Sequence, residues 1–168
     1  GGTVRGLLRL NGTTLNSNST MMNLTFSNKT HLKLAIYINH TNQTGKVQIF
    51  FNTPVNSTLA LPINLTTNYT HIKLVNATVI SQSPSSNLTI DSIATSNQKF
   101  INLDMENGNY SKTGTISAYI SRHTLITGGF TYWNKLNREQ ITNVSVSIST
   151  KSTTIGTGSY IIAYGEDY

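Results

Sequence analysis

"HLKLAIYIN" (residues 31–39) alternates without a fault, with Leu32, Leu34, Ile36 and Ile38 on one side of an extended chain and His31, Lys33, Tyr37 and Asn39 on the other. Strand side chains change face at every residue, so the segment reads as a strand with one buried face. The same period recurs near 3–10, 22–27, 46–52, 58–65, 71–80, 87–94, 99–105, 114–121, 125–133, 141–150 and 159–165. Turn residues separate these runs. "NQTG" (42–45) reads as a hairpin loop, "NG" (107–108) as a turn, "GG" (128–129) as a bulge and "SQSPSSN" (81–87) as a polar loop. "NKLNREQ" (134–140) has no convincing apolar face and is a helical turn at most. A dozen short strands predict an all-β chain folded as a β-sandwich, Greek-key or jelly-roll-like. At 168 residues it is long enough for one sizeable core.

Composition sets the surface chemistry. Charged residues are 11% of the chain, against about 25% in ordinary soluble proteins. Ser, Thr and Asn number 18, 26 and 20. A β-rich chain with so little charge is prone to aggregate unless something else keeps it apart from its copies. The thirteen Asn-x-Ser/Thr sequons supply that something. They begin at Asn11, Asn18, Asn23, Asn28, Asn39, Asn42, Asn56, Asn64, Asn68, Asn76, Asn87, Asn109 and Asn143, where about five would arise by chance from this composition. Strand parity turns Asn23, Asn39, Asn64, Asn87 and Asn143 outward. Asn76 shares parity with Ile72 and Leu74, so either a bulge intervenes or that sequon is unused. Only two sequons follow Asn87, so the later half of the chain is expected to hold most of the bare surface.

Several function classes find no support. The chain has no cysteine, hence no disulfide and no thiolate metal site. No apolar run is long enough to span a membrane as a helix, and no leader is visible, so the chain reads as mature. The net charge of +6 comes from few acids, and the twelve basic residues are too scattered to predict nucleic-acid binding. "SNQK" (96–99) and "KTG" (112–114) match fragments of penicillin-recognising enzymes but lie too close together, with no S-D-N. Asp104 and Glu106 share a strand face yet read as solvated, and "DMENG" (104–108) lacks the spacing of a calcium loop. His31, His40, His71 and His123 read as strand-end residues with no carboxylate partner. The chain is thus expected to be no enzyme and to hold no metal or cofactor beyond covalent glycans. With only six carboxylates to protonate, it is also expected to tolerate acid.

Attention then falls on the first strand, "GGTVRGLLRLNG" (1–12). Val4, Gly6, Leu8 and Leu10 fall on one face, Arg5, Arg9 and Asn11 on the other. A polar stretch, "NGTTLNSNST" (11–20), follows as a candidate hinge. Such a strand can complete its own sheet or lie in a groove of a neighbouring copy. A head-to-tail contact of the second kind does not close and gives a filament, each strand of about ten residues supplying roughly 33 Å of pairing.

This combination resembles the subunits of archaeal surface filaments assembled by donor-strand complementation, above all the threads of thermoacidophilic Sulfolobales, with bundling pilins as possible relatives. The lack of disulfides together with N-glycosylation agrees with an archaeal surface protein. The resemblance implies a donor tail at residues 1–15 and a glycosylated head at 16–168, with Val4, Gly6, Leu8 and Leu10 facing the acceptor groove. It also implies an extracellular homopolymer with a role in adhesion or cell–cell contact. Two other readings remain open. One is a stand-alone carbohydrate-binding or adhesin domain using Phe130, Tyr132 and Trp133; the other is a viral coat or S-layer component.

Overall fold

A computed structural model describes the chain except residues 1–5, 41–45, 57, 59–60, 63–68, 76–77, 86–87, 91–97, 109–113, 122–125, 134–139, 150–154 and 168. Its described residues form no helix and fourteen strands: β1 (Leu8–Thr14), β2 (Met21–Thr25), β3 (His31–Asn39), β4 (Val47–Phe51), β5 (Val55–Asn56), β6 (Leu61–Pro62), β7 (Tyr69–Val75), β8 (Thr78–Ser85), β9 (Leu88–Ile90), β10 (Gln98–Glu106), β11 (Gly114–Ser121), β12 (Ile126–Trp133), β13 (Asn143–Ile148) and β14 (Tyr160–Glu166). They make an eight-stranded sheet ordered β1-β14-β3-β10-β11-β12-β7-β8, a four-stranded sheet ordered β2-β13-β4-β9 and a small β5-β6 pair. Every pairing is antiparallel. The chain crosses repeatedly between the two larger sheets, as a sandwich of this kind requires.

The alternation in β3 decides where the core sits. Leu32, Leu34, Ile36 and Ile38 are buried, and so are Ile101, Leu103 and Met105 of β10 and Ile161 and Ala163 of β14. They form one cluster with Met22 and Leu24 of β2, Val47 and Ile49 of β4, and Val144, Val146 and Ile148 of β13. Burying each Leu or Ile side chain is worth about 1.5–3 kcal/mol, so this interlayer contact is the main source of stability.

Two asparagines lock loops to this frame. Asn107 is 3% exposed. Its side-chain amide donates to the carbonyls of Lys29 and Ile141 at 2.9 and 3.0 Å, and its Oδ1 accepts from the Ile141 amide at 2.7 Å. Asn52 sits at φ 50°, a left-handed conformation that Asn tolerates better than most residues. From there its Oδ1 accepts from the amides of Thr142 and Asn143, while its Nδ2 donates to the Gln140 carbonyl.

Several local expectations need correction. The opening strand runs Leu8–Thr14, beyond its expected end at residue 10, and a bulge between Arg9 and Asn11 resets its alternation; residues 3–5 of the expected span lie outside the described residues. Residues 81–85 are not a loop: they continue β8, an outermost strand, where a sheet tolerates a proline such as Pro84. The Gly128-Gly129 pair makes no bulge, for the ladders to β11 and β7 run through it unshifted. Glycine weakens a strand's propensity but keeps both its hydrogen-bonding groups. "NG" at 107–108 follows β10 directly, in the connection to β11, and its Asn107 is buried. A register shift between Lys73 and Leu74 supplies a bulge near the Asn76 sequon, although Asn76 itself lies outside the described residues. "NQTG" also lies outside them, as does "NKLNREQ" up to Glu139.

Asn107→Ala removes one side chain and strands three buried backbone groups. A loss on the order of 3 kcal/mol is expected from urea unfolding, with the slope unchanged.

Candidate assembly edge and outer face

β1 is the outermost strand of the larger sheet, and its ladder runs to β14 of the same chain. In the single chain, then, residues 8–14 belong to the head's own sheet and do not stand apart as a tail. The pairs are Leu8 with Gly165, Arg9 with Tyr164, Asn11 with Ala163, Gly12 with Ile162, Thr13 with Ile161 and Thr14 with Tyr160. Leu10 occupies the bulge and packs against the core. Gly165 makes room for it: a Cβ there would come within 2.9 Å of the Leu10 side chain and of Lys29. Leu8, by contrast, is 59% exposed. Gly6 is exposed at φ 132°, and Val4 lies outside the described residues. Of the three described positions among the four expected to face a groove, Leu10 alone packs against the core.

The bulge also turns Asn11 towards the other sheet, where its amide donates to the Thr25 carbonyl of β2 at 2.7 Å. The expected hinge is correspondingly shorter. Asn11–Thr14 belong to β1, Leu15 exchanges backbone bonds with Ser159 and Gly158, and Ser19 pairs with Ile155. Between these ties only Asn16, Ser17 and Asn18 are exposed in succession.

Seven sequon asparagines are described. Asn11, Asn18, Asn23 and Asn28 are exposed, whereas Asn39, Asn56 and Asn143 are half-buried. Asn42, Asn64, Asn68, Asn76, Asn87 and Asn109 lie outside the described residues. Asn23 and Asn143 are neighbours on the outer face of the smaller sheet, with the Asn143 amide donating to Asn23 Oδ1 at 3.2 Å and to Thr25 at 3.1 Å.

The outer face of β10-β3-β14 carries chemistry that reading along the chain missed. His31 does have carboxylate partners: its Nε2 lies 2.7 Å from Asp104 and its Nδ1 3.5 Å from Glu166. Both are cross-strand neighbours, brought together by registers 73 and 135 residues apart in sequence. Lys29 and Asp167 form a further ion pair at 3.4 Å. Among the described residues no group of three His, Cys, Asp or Glu side chains is arranged to hold a metal ion. Six residues further along β3, Phe100, Tyr37 and Tyr160 line up across the three strands. Their rings are 4.8 and 5.5 Å apart, each pair tilted by 35°. Phe130, Tyr132 and Trp133 lie in β12 within an uninterrupted ladder. Ser96, Lys112 and Thr113 fall outside the described residues, and no described helix is long and apolar enough to cross a membrane.

No protein-family model matches this chain, and no curated protein matches it either.

The Asp167 carboxyl is held below its ordinary value of 3.8, chiefly by the hydrogen bond from the Thr30 amide and further by Lys29. A carboxyl whose folded pKa is depressed adds stability above its unfolded pKa and loses it as pH falls through the folded one. Unfolding midpoints measured between pH 7 and pH 2 should therefore fall modestly in the acid range. Asp167→Asn should flatten that fall and leave the neutral-pH fold intact.

Proposed function

We propose that this chain is a non-enzymatic structural subunit of an extracellular filament, coated by N-linked glycans, in which β1 of one copy pairs with β14 of the next. The observation that supports this reading best is the position of β1: outermost in its sheet, laddered to β14 alone and followed by the exposed residues Asn16, Ser17 and Asn18. Whether β1 serves its own β14 or another copy's, it makes the same ladder and fills the same space over Gly165. The two arrangements then differ mainly in the path of Asn16–Asn18 and in the cost of association, the condition under which strand exchange is cheap. Passing the strand onward from copy to copy leaves the chain of contacts open, and the product is a fibre.

The rest of the molecule suits that role. Its surface is nearly neutral, so glycans on the exposed sequons keep heavily β-structured copies from associating side by side. An extracellular place and a part in adhesion or cell–cell contact follow from the resemblance to archaeal threads.

The absence of cysteine makes a clean test available. Arg9 and Tyr164 are register partners on the outer face. One preparation carries Arg9→Cys, a second carries Tyr164→Cys, and the two are mixed under assembly conditions and oxidised. Disulfide-linked heterodimers, which neither preparation forms alone, are expected. Fibres that contain no such cross-link would refute the exchange.

A further inference from the structure

The row formed by Phe100, Tyr37 and Tyr160 is an oddity on this surface. Phe100 is 45% exposed, and its ring lies tilted against that of Tyr37, near one end of the three strands. A single exposed apolar residue needs no explanation, but three aligned rings do. The positions flanking the row are small or neutral: Asn102, Ala35 and Ile162 occupy the next register, and the charged rank of Asp104 and Lys33 begins one register beyond. An uncharged aromatic strip suits the face of a sugar ring, whose C–H bonds carry slight positive charge and meet the negative face of an aromatic ring.

The chain itself carries an attachment point for such a sugar. Asn39 opens the sequon Asn39-His40-Thr41 and lies two residues beyond Tyr37 on the same strand, hence on the same face. Its amide nitrogen has two hydrogens, one of which is donated to the Thr157 carbonyl at 3.2 Å. Glycosylation replaces the other. The anchor therefore keeps its backbone contact while the sugar leaves along the outer face.

We infer that Asn39 carries a glycan whose first sugar lies over the Tyr37–Phe100–Tyr160 row and shields it from solvent. The inference rests on the glycosylated state proposed above but not on strand exchange. It accounts for why the rings are displayed: the occupant is covalently supplied, so no partner molecule has to be recruited. The glycan becomes part of the packing of this sheet face, which distinguishes Asn39 from a sequon on a featureless surface.

The test uses the protein purified from its natural host, where the glycan is added. Glycopeptide mapping should find Asn39 occupied. In proton NMR of the intact glycoprotein, the ring protons of that sugar should be displaced upfield by the aromatic faces, and Phe100→Leu should reduce the displacement without unfolding the chain. Thr41→Ala, which abolishes the sequon but keeps Asn39, should lower the melting midpoint by about 3 °C. In that background Phe100→Leu should cost less than it does in the glycosylated protein. A bare Asn39, or an occupied Asn39 whose sugar resonances are undisplaced, would overturn the inference. Either result leaves the filament reading standing if the cysteine cross-links form. Binding of a second copy or of free polysaccharide to the row in the Thr41→Ala protein, with Asn39 bare in the natural one, would likewise overturn it and name the other occupant.

Discussion

Everything in this molecule turns on the outer edge of β14. Its inner edge is fixed by β3, whose alternating Leu and Ile side chains build the core. Its outer edge presents amides and carbonyls beside the buried Ile161 and Ala163, and backbone groups so placed must find partners. A strand laid along β14 satisfies them. In the single chain that strand is β1, seated by Leu10 in the space that Gly165 leaves open. The physical freedom left to the protein is which copy supplies it.

Much of the architecture was legible in the residues. β3 and β11 run over the spans that alternation indicates, and most other strands differ from it by one to three residues. These segments are read well because burial on one face imposes a period of two directly on the sequence. The misreadings have a common cause, since each depends on a partner remote in the chain. Parity along the chain does not show that the β14 ladder skips Leu10 and continues to Thr14. Pro84 suggests a loop until β8 is known to be an edge. Asn107 looks like a turn residue until Lys29 and Ile141 are seen to surround it. His31 looks unpartnered until registers bring Asp104 and Glu166 beside it. The aromatic row escaped notice for the same reason, its three rings coming from three separate strands.

The surface follows a different logic from the core. Four of the six acids, Asp104, Glu106, Glu166 and Asp167, fall at one end of the β10-β3-β14 region. Among the described residues the carboxylates thus gather in a single corner, where Lys29, Lys33 and His31 also lie. Elsewhere the sequence is dominated by uncharged polar side chains, which do not titrate. Glycans are the natural complement to such a surface, and their attachment at strand positions such as Asn23 and Asn39 would place them over the sheets themselves.

The most direct test of the central claim is a density map of assembled native material at a resolution that traces side chains. Following the chain backwards from Leu15 through Asn11 shows where β1 goes. The account expects it to run along β14 of the adjacent copy, with Leu10 beside that copy's Gly165. A trace that returns to β14 of its own copy, in an assembly held together by other surfaces, would contradict it.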